Sequence, residues 1–350
     1  MQYLGIDWGT RKAAWCALDD HGQLREGMMP AEEEGLARLV HTLGTDVRGC
    51  IEMMSGAVWV RDRLATAGWE IRIADARKVK AIAPLACKTD RVDARVLAEL
   101  VKRELVPEVW VPTLSDRELR ERLRRRAHLV RLKTSATNRT FGLLTQWGLR
   151  ANLTALREPE TLEQLAEHGV PPVWLQSITT LVSVIDDLDR QLAPIERELR
   201  PIAHSNDQVR LLMTIPGIAE LLGLTLAAEI GDISRFPTAR KLVGYSGLTP
   251  TIKQSGQSSR TGRISKAGPN TLRWAAVEAA QSAWRPTNPW HRLYTDTKRR
   301  HGKPNPAKAA VARKVLIACW HVLSLNQPFK PSASSAADHV PASSSIRLAA

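Results

Sequence analysis

Short apolar runs and helical apolar stripes alternate along the first hundred residues, and each predicts an element. Runs at residues 2–7, 13–18 and 23–29 read as three strands, the last two joined by the turn Asp19-Asp20-His21-Gly22. Leu36, Leu39, Val40 and Leu43 recur at helical spacing and predict a helix over 32–43. A strand closing on Glu52, a helix over 56–67, a strand over 70–74 and a helix from Asp90 to about 104 follow. Pro107 and Pro112 end the series.

Beyond it the pattern turns helical. Ser115-Asp116-Arg117-Glu118 reads as a capping box, Ser at the N-cap and Glu three residues on, opening a long helix. Leu119, Leu123, Ala127, Val130, Phe141 and Leu144 mark its apolar side. Leu181, Ile185, Leu188, Leu192, Ile195 and Leu199 alternate spacings of four and three, a heptad seam shorter than three heptads. That length predicts an antiparallel pair with the chain's own long helix that also offers a face to a second subunit, hence a homodimer or tetramer. Ile215-Pro216-Gly217-Ile218 reads equally as a helix-hairpin-helix turn presenting backbone amides to a phosphate, or as plain helix punctuation. Gly247-Leu248-Thr249-Pro250 stops a short helix and begins a loop rich in Gly and Ser, and helices near 270–283, 289–300 and 306–325 follow. The Ser/Ala/Pro-rich tail over 330–350 reads as disordered. The expected domains are 1–113, an α/β fold; 114–206, helical and coiled-coil; and 207–329, helical.

Composition changes the picture through charge. The formal net charge is +14 over 350 residues, and it is uneven. Lys and Arg stand 16 against 17 acids over residues 1–113, 15 against 16 over 114–234, and 17 against 2 from Arg235 to Lys314. A polyanion, most simply nucleic acid, is the partner such a segment calls for. The long helix adds Arg124, Arg125 and Arg126 within a run of nine basic residues, a phosphate-contacting or simply solvated face. Lys253, Arg260, Arg263 and Lys266 stud the Gly/Ser loop, and Arg273 follows. Glycine and serine let a backbone approach a phosphodiester closely. Cys16, Cys50, Cys87 and Cys319 are too scattered for a zinc knuckle or a disulfide framework. No apolar run approaches the roughly 20 residues that span a bilayer, so a soluble cytoplasmic protein is expected.

The candidate chemistry lies in carboxylates. In Lys88-Thr89-Asp90-Arg91-Val92-Asp93-Ala94 the two aspartates are three apart and share a helix face. Asp7 ends the first apolar run and Glu52 another. Four acids from two strand ends and one helix face suit a hard cation, Mg2+ or Mn2+. Three antiparallel strands followed by alternating helices and strands is also the order of a ribonuclease H-like α/β domain.

From Tyr3 to about Phe329 the chain resembles the DEDD-type transposases of bacterial insertion sequences. That group is related to the Piv DNA invertases and is described as serine-dependent, bridge-RNA-guided recombinases. The likeness rests on Gly5-Ile6-Asp7, Ile51-Glu52, the Lys88–Ala94 string, Ile215-Pro216-Gly217-Ile218, Gly247-Leu248-Thr249-Pro250, Gln254-Ser255-Gly256, Ile264-Ser265-Lys266-Ala267-Gly268 and Leu272-Arg273. It implies a RuvC-like domain whose metal quartet matches Asp7, Glu52, Asp90 and Asp93. It implies a C-terminal transposase domain whose nucleophile matches Ser255, which alone stands before glycine just after Gly-Leu-x-Pro. It further implies donor and target DNA chosen by a structured guide RNA, and sites completed between subunits.

Three other functions compete. A nuclease or junction resolvase using water would explain residues 1–104 equally well. A sugar-kinase-like phosphotransferase would share Gly5-Ile6-Asp7-Trp8-Gly9-Thr10, but no later glycine-rich adenosine motif follows. A non-enzymatic RNA-binding scaffold would use the basic segments and leave the acids without a role.

Overall fold

The computed structural model describes residues 1–83, 89–255 and 258–331, with side chains at all of these except 252–261. The chain divides into two compact units, Met1–Thr113 and Leu114–Ala350.

The first unit is a five-stranded sheet with helices on both faces. In chain order it contains β1 (Gln2–Trp8), β2 (Lys12–Asp19), β3 (Leu24–Pro30), α1 (Glu33–Leu43), β4 (Val47–Glu52), α2 (Ala57–Ala65), β5 (Glu70–Ala74), α3 (Ala76–Ile82) and α4 (Asp90–Lys102). The sheet order is β3-β2-β1-β4-β5; β1 is antiparallel to β2 and parallel to β4, and β4 is parallel to β5. Alternation along the strands separates two cores. Leu4, Ile6, Ile51 and Ile73 pack with Leu36, Leu39, Val60 and Leu64 of α1 and α2. Cys50 and Ala74 pack with Leu97 and Val101 of α4, and Ala14, Cys16 and Leu18 with Ala94 and Ala98. Only α3 lacks an apolar signature; Asp75 caps it, accepting from Arg77 N at 2.9 Å and Lys78 N at 3.2 Å.

α4 lies against β1 with almost no space between backbones. A Cβ at Gly5 would stand 2.0 Å from Ala94 O and 2.5 Å from Ala98 N. Lys102 Nζ donates to Asp19 O at 2.8 Å, and Asp19 pairs with Gln2. The C-terminal end of α4 therefore sits at the start of β1, and its first turn sits at the Asp7 end.

The second unit begins with α5 (Leu114–Gln146), then α6 (Pro159–Glu167) and α7 (Pro172–Ser205). Ser115 lies inside α5, one residue past its start, so the expected capping box is not the N-cap of this helix. Ion pairs that step down α7 as they climb α5 show the two helices to be antiparallel: Arg122 to Glu198, Arg126 to Glu196 and Lys133 to Asp189. The predicted seam is buried from Ile185 to Leu199, but at its start Val182 is buried and Leu181 only half so. Leu156, Leu165 and Val170 close over Ile178 and Val182 there. The chain's own α5 fills the seam with Leu123, Ala136, Leu143 and Leu144. The seam therefore offers no free apolar face to a second subunit.

There follow α8 (Asp207–Leu212), α9 (Glu220–Ile230), α10 (Ala239–Tyr245), β6 (Pro250–Ser255), β7 (Ser258–Ile264), α11 (Asn270–Ala279), α12 (His291–His301) and α13 (Pro304–Leu325). Val311, Val315, Leu316 and Cys319 of α13 share one core with Leu123, Ile195 and Leu199. The stretches 114–206 and 207–329 are thus packed together rather than separately. The expected loop after Pro250 is an antiparallel ribbon, Ile252 opposite Thr261 and Ser255 opposite Ser258. Its β-branched Thr251, Ile252, Thr261 and Ile264 favour extended backbone, so this unit is not wholly helical.

Candidate catalytic acids and nucleic-acid interface

Parallel register places two of the acids. Ile6 pairs with Ile51, so Asp7 and Glu52, one residue further on, stand level on neighbouring strands. Each lies two residues beyond a position that faces α4, Gly5 and Cys50, so both project toward that helix. The first turn of α4 arrives at the same end of the sheet. Thr89 fixes it, its Oγ1 accepting from Val92 N at 3.3 Å and its carbonyl from Asp93 N at 2.9 Å. Asp90 is exposed, while Asp7, Glu52 and Asp93 are half-buried. The positive end of the helix dipole favours the two aspartates there.

The structure thus brings all four predicted acids to one face and one end of the sheet. It does not close them into a cage: among the described residues no three His, Cys, Asp or Glu side chains are gathered to hold a metal ion. Like charges spread apart, and the donors are nonetheless the hard oxygens that Mg2+ or Mn2+ takes. Lys88 lies outside the described residues. At the same end Trp8 meets Trp59 edge to face, with ring centroids 5.9 Å apart.

The basic residues divide differently from expectation. Arg126 is paired with Glu196 at 2.6 Å and Arg124 with Glu229 at 3.7 Å. Arg120 is buried and donates to Ala228 O at 2.8 Å and Glu229 O at 3.2 Å. Burial pulls its pKa down, and the Glu229 carboxylate opposes that shift. Arg126, half-buried, therefore belongs to the packing of α5 on α7, whereas Arg124 is exposed beside the buried Glu229 of α9. Arg125 stays exposed.

Arg273 donates to Ser246 O at 3.0 Å and to Asn270 Oδ1, bracing the turn at Gly247. That turn needs glycine, because φ is +70° and a Cβ would stand 2.8 Å from Ala267 N. Arg263 and Lys266 are exposed. Ser255 ends β6 opposite Ser258, and Lys253 stands opposite Arg260, while the side chains of Ser255, Lys253 and Arg260 lie outside the description. In the Pro216-Gly217 turn between α8 and α9, Gly217 has φ +92° and a Cβ would meet Ala279 O at 2.2 Å. Packing alone therefore requires that glycine.

Sequence reasoning missed Arg313. It is half-buried on α13, donates to Leu248 O at 3.3 Å, and its pKa is lowered by burial. Its place within a basic, otherwise apolar helix carried no signal.

Both units match known families. Residues 4–148 match a model of the DEDD transposases of IS110, and residues 209–296 match one described as transposase of the IS116/IS110/IS902 family. Both matched regions are ones described for insertion-sequence transposases. Over 291 residues the chain is 27% identical to the transposase for insertion sequence element IS1111A of Coxiella burnetii, covering 81% of this chain and 78% of that one. It is 25% identical over 285 residues to a probable family 20 transposase of Pseudomonas aeruginosa, covering 79% and 83%. It is 27% identical over 234 residues to the transposase for IS1328 of Yersinia enterocolitica, covering 66% and 69%. The matched regions and these relatives support an insertion-sequence transposase of the IS110/IS116 family.

Proposed function

We propose that the protein cuts and rejoins DNA through attack by Ser255, assisted by the acids of a RuvC-like unit and directed by a structured guide RNA. What supports this reading is the position of Asp7 and Glu52 at neighbouring strand ends and of Asp90 and Asp93 in the first turn of α4, at the same end of the first sheet. Those four would hold Mg2+ or Mn2+, which supplies charge neutralisation at phosphate and lowers the pKa of a hydroxyl. Ser255 supplies the hydroxyl. Its Oγ forms a bond to phosphorus as the bond from phosphorus to one sugar oxygen breaks, and that oxygen leaves with a proton. Reversal by another strand's hydroxyl restores a phosphodiester and frees the serine, so no bond energy is lost to hydrolysis.

Exposed Arg125, Arg263 and Lys266 offer a basic surface to DNA or RNA phosphate, and positions 253 and 260, paired in the ribbon, are also basic residues. Assembly as a dimer or tetramer on nucleic acid is part of the proposal, with Ser255 meeting the acids within or between chains. No described helix is long and apolar enough to cross a membrane.

Asp90→Asn, Glu52→Gln or EDTA should abolish cleavage while leaving nucleic-acid binding in place. Ser255→Ala should abolish strand exchange and remove a covalent adduct that wild type forms on suicide DNA, read as phosphoserine by mass spectrometry. A variant that still recombines, or a wild type without adduct, would turn the reading to a nuclease in which water attacks. Sequencing RNA that copurifies with the protein tests the guide.

A further inference from the structure

Two guanidinium groups meet the root of the β6–β7 ribbon from different helices. Arg273 of α11 bonds Ser246 O at 3.0 Å and Arg313 of α13 bonds Leu248 O at 3.3 Å, on either side of Gly247. Both carbonyls belong to fully buried residues. The intervening Gly247 O accepts from Lys266 N at 3.0 Å, and Lys266 has φ +54°, a conformation rare for any residue but glycine. Two guanidinium groups and the backbone N–H of Lys266 are thus tied to one tripeptide.

No carboxylate answers them among the described residues. Between Arg235 and Lys314 the only acids are Glu278 and Asp296. Asp296 faces Arg292 at 3.8 Å and Arg299 at 3.5 Å. Glu278 is exposed and stands five positions beyond Arg273, turned about 140° around the helix. Arg120 shows how this fold balances a buried guanidinium: it too bonds carbonyls, but the Glu229 carboxylate lies beside it. For Arg313 burial disfavours the charge and no acid opposes that effect.

We propose that Arg313 is a phosphate anchor, holding one backbone phosphodiester of the bound nucleic acid at the root of the ribbon, with Lys266 as its second cation. This rests on the reading of the second unit as a nucleic-acid binder. A guanidinium carries five N–H donors, of which Leu248 O takes one; the remaining fork matches two phosphate oxygens. The contact carries no base information and fixes position. It sets the phosphate at the base of the strand that ends on Ser255, so it acts on where the strand lies and not on the chemistry.

The test is a salt series of anisotropy titrations with a labelled mixed-sequence DNA duplex and a labelled hairpin RNA, each about 30 base pairs or nucleotides, because either could supply the phosphate. Arg313→Gln should weaken binding about threefold to tenfold near 100 mM salt and reduce the slope of log K against log salt by about one in the arm whose phosphate Arg313 holds. Arg313→Lys should keep the slope, and Arg190→Gln, exposed on α7 outside the basic segment, should leave affinity and slope unchanged as a control. Normal affinity and slope for Arg313→Gln in both arms, with wild-type binding intact, would overturn the anchor and leave the proposed function standing. Wild type that binds neither probe would remove both. If Arg313→Gln does not fold, phenylglyoxal footprinting of wild type decides: protection of Arg313 by either probe supports the anchor, and equal modification overturns it.

Discussion

A single hydrogen atom at position 5 decides how close α4 can come to the sheet. Any larger side chain there drives into Ala94 O and Ala98 N, both backbone atoms that cannot turn aside. Gly5→Ala should lower stability by about 3 kcal/mol, near the top of the usual overpacking range, and should also reduce cleavage by moving the turn that carries Asp90 and Asp93. The urea midpoint measures the first effect. Gly142 in α5 has open space around its would-be Cβ, so Gly142→Ala should stabilise by about 0.5–1 kcal/mol. If the two alanine variants shift the midpoint equally, close packing is not what glycine serves at position 5. Both glycines look alike in the chain, and only the neighbour's backbone tells them apart.

At the scale of elements the long pair α5 and α7 shows what periodicity conveys and where it stops. The stripe of Ile185, Leu188, Leu192, Ile195 and Leu199 was legible because spacing alone puts these residues on one side of a helix. Which helix covers that side was not legible, since a second copy and the chain's own α5 satisfy the same stripe. With the seam filled internally, Ile185→Ala should cost about 2–5 kcal/mol in urea unfolding. Val184, exposed next to it, should tolerate alanine within about 0.5 kcal/mol. Light scattering on Ile185→Ala should give the same mass as wild type, because its partner is intramolecular. A fall in mass would place the seam between subunits after all. The ribbon shows the reverse case: glycine and serine between Lys253 and Ser265 hide two strands, since strand pairing is settled by the partner strand and not by local composition.

Across the whole molecule, each unit carries its own core. The strands and helices of Met1–Thr113 bury their apolar faces among themselves, on both sides of the sheet. Residues 1–113 alone should therefore fold cooperatively, with a single urea transition and dispersed amide NMR signals. A fragment with a featureless spectrum would show that this unit depends on the rest of the chain. The sequence by itself determined the strands of that sheet, the helix opening at Asp90, the identity of the acids and the concentration of positive charge after Arg235. These follow from local periodicity and from residue chemistry, which need no partner. Tertiary structure decided which cations are free and which strands pair. Arg126 is paired with Glu196 and exposed Arg124 lies 3.7 Å from Glu229, acids that come from elements 70 or more positions away. Arg313 became visible only once Leu248, 65 residues earlier, lay within its reach. Charge is written in the chain, but its balance is set by distances between atoms, and those exist only after folding.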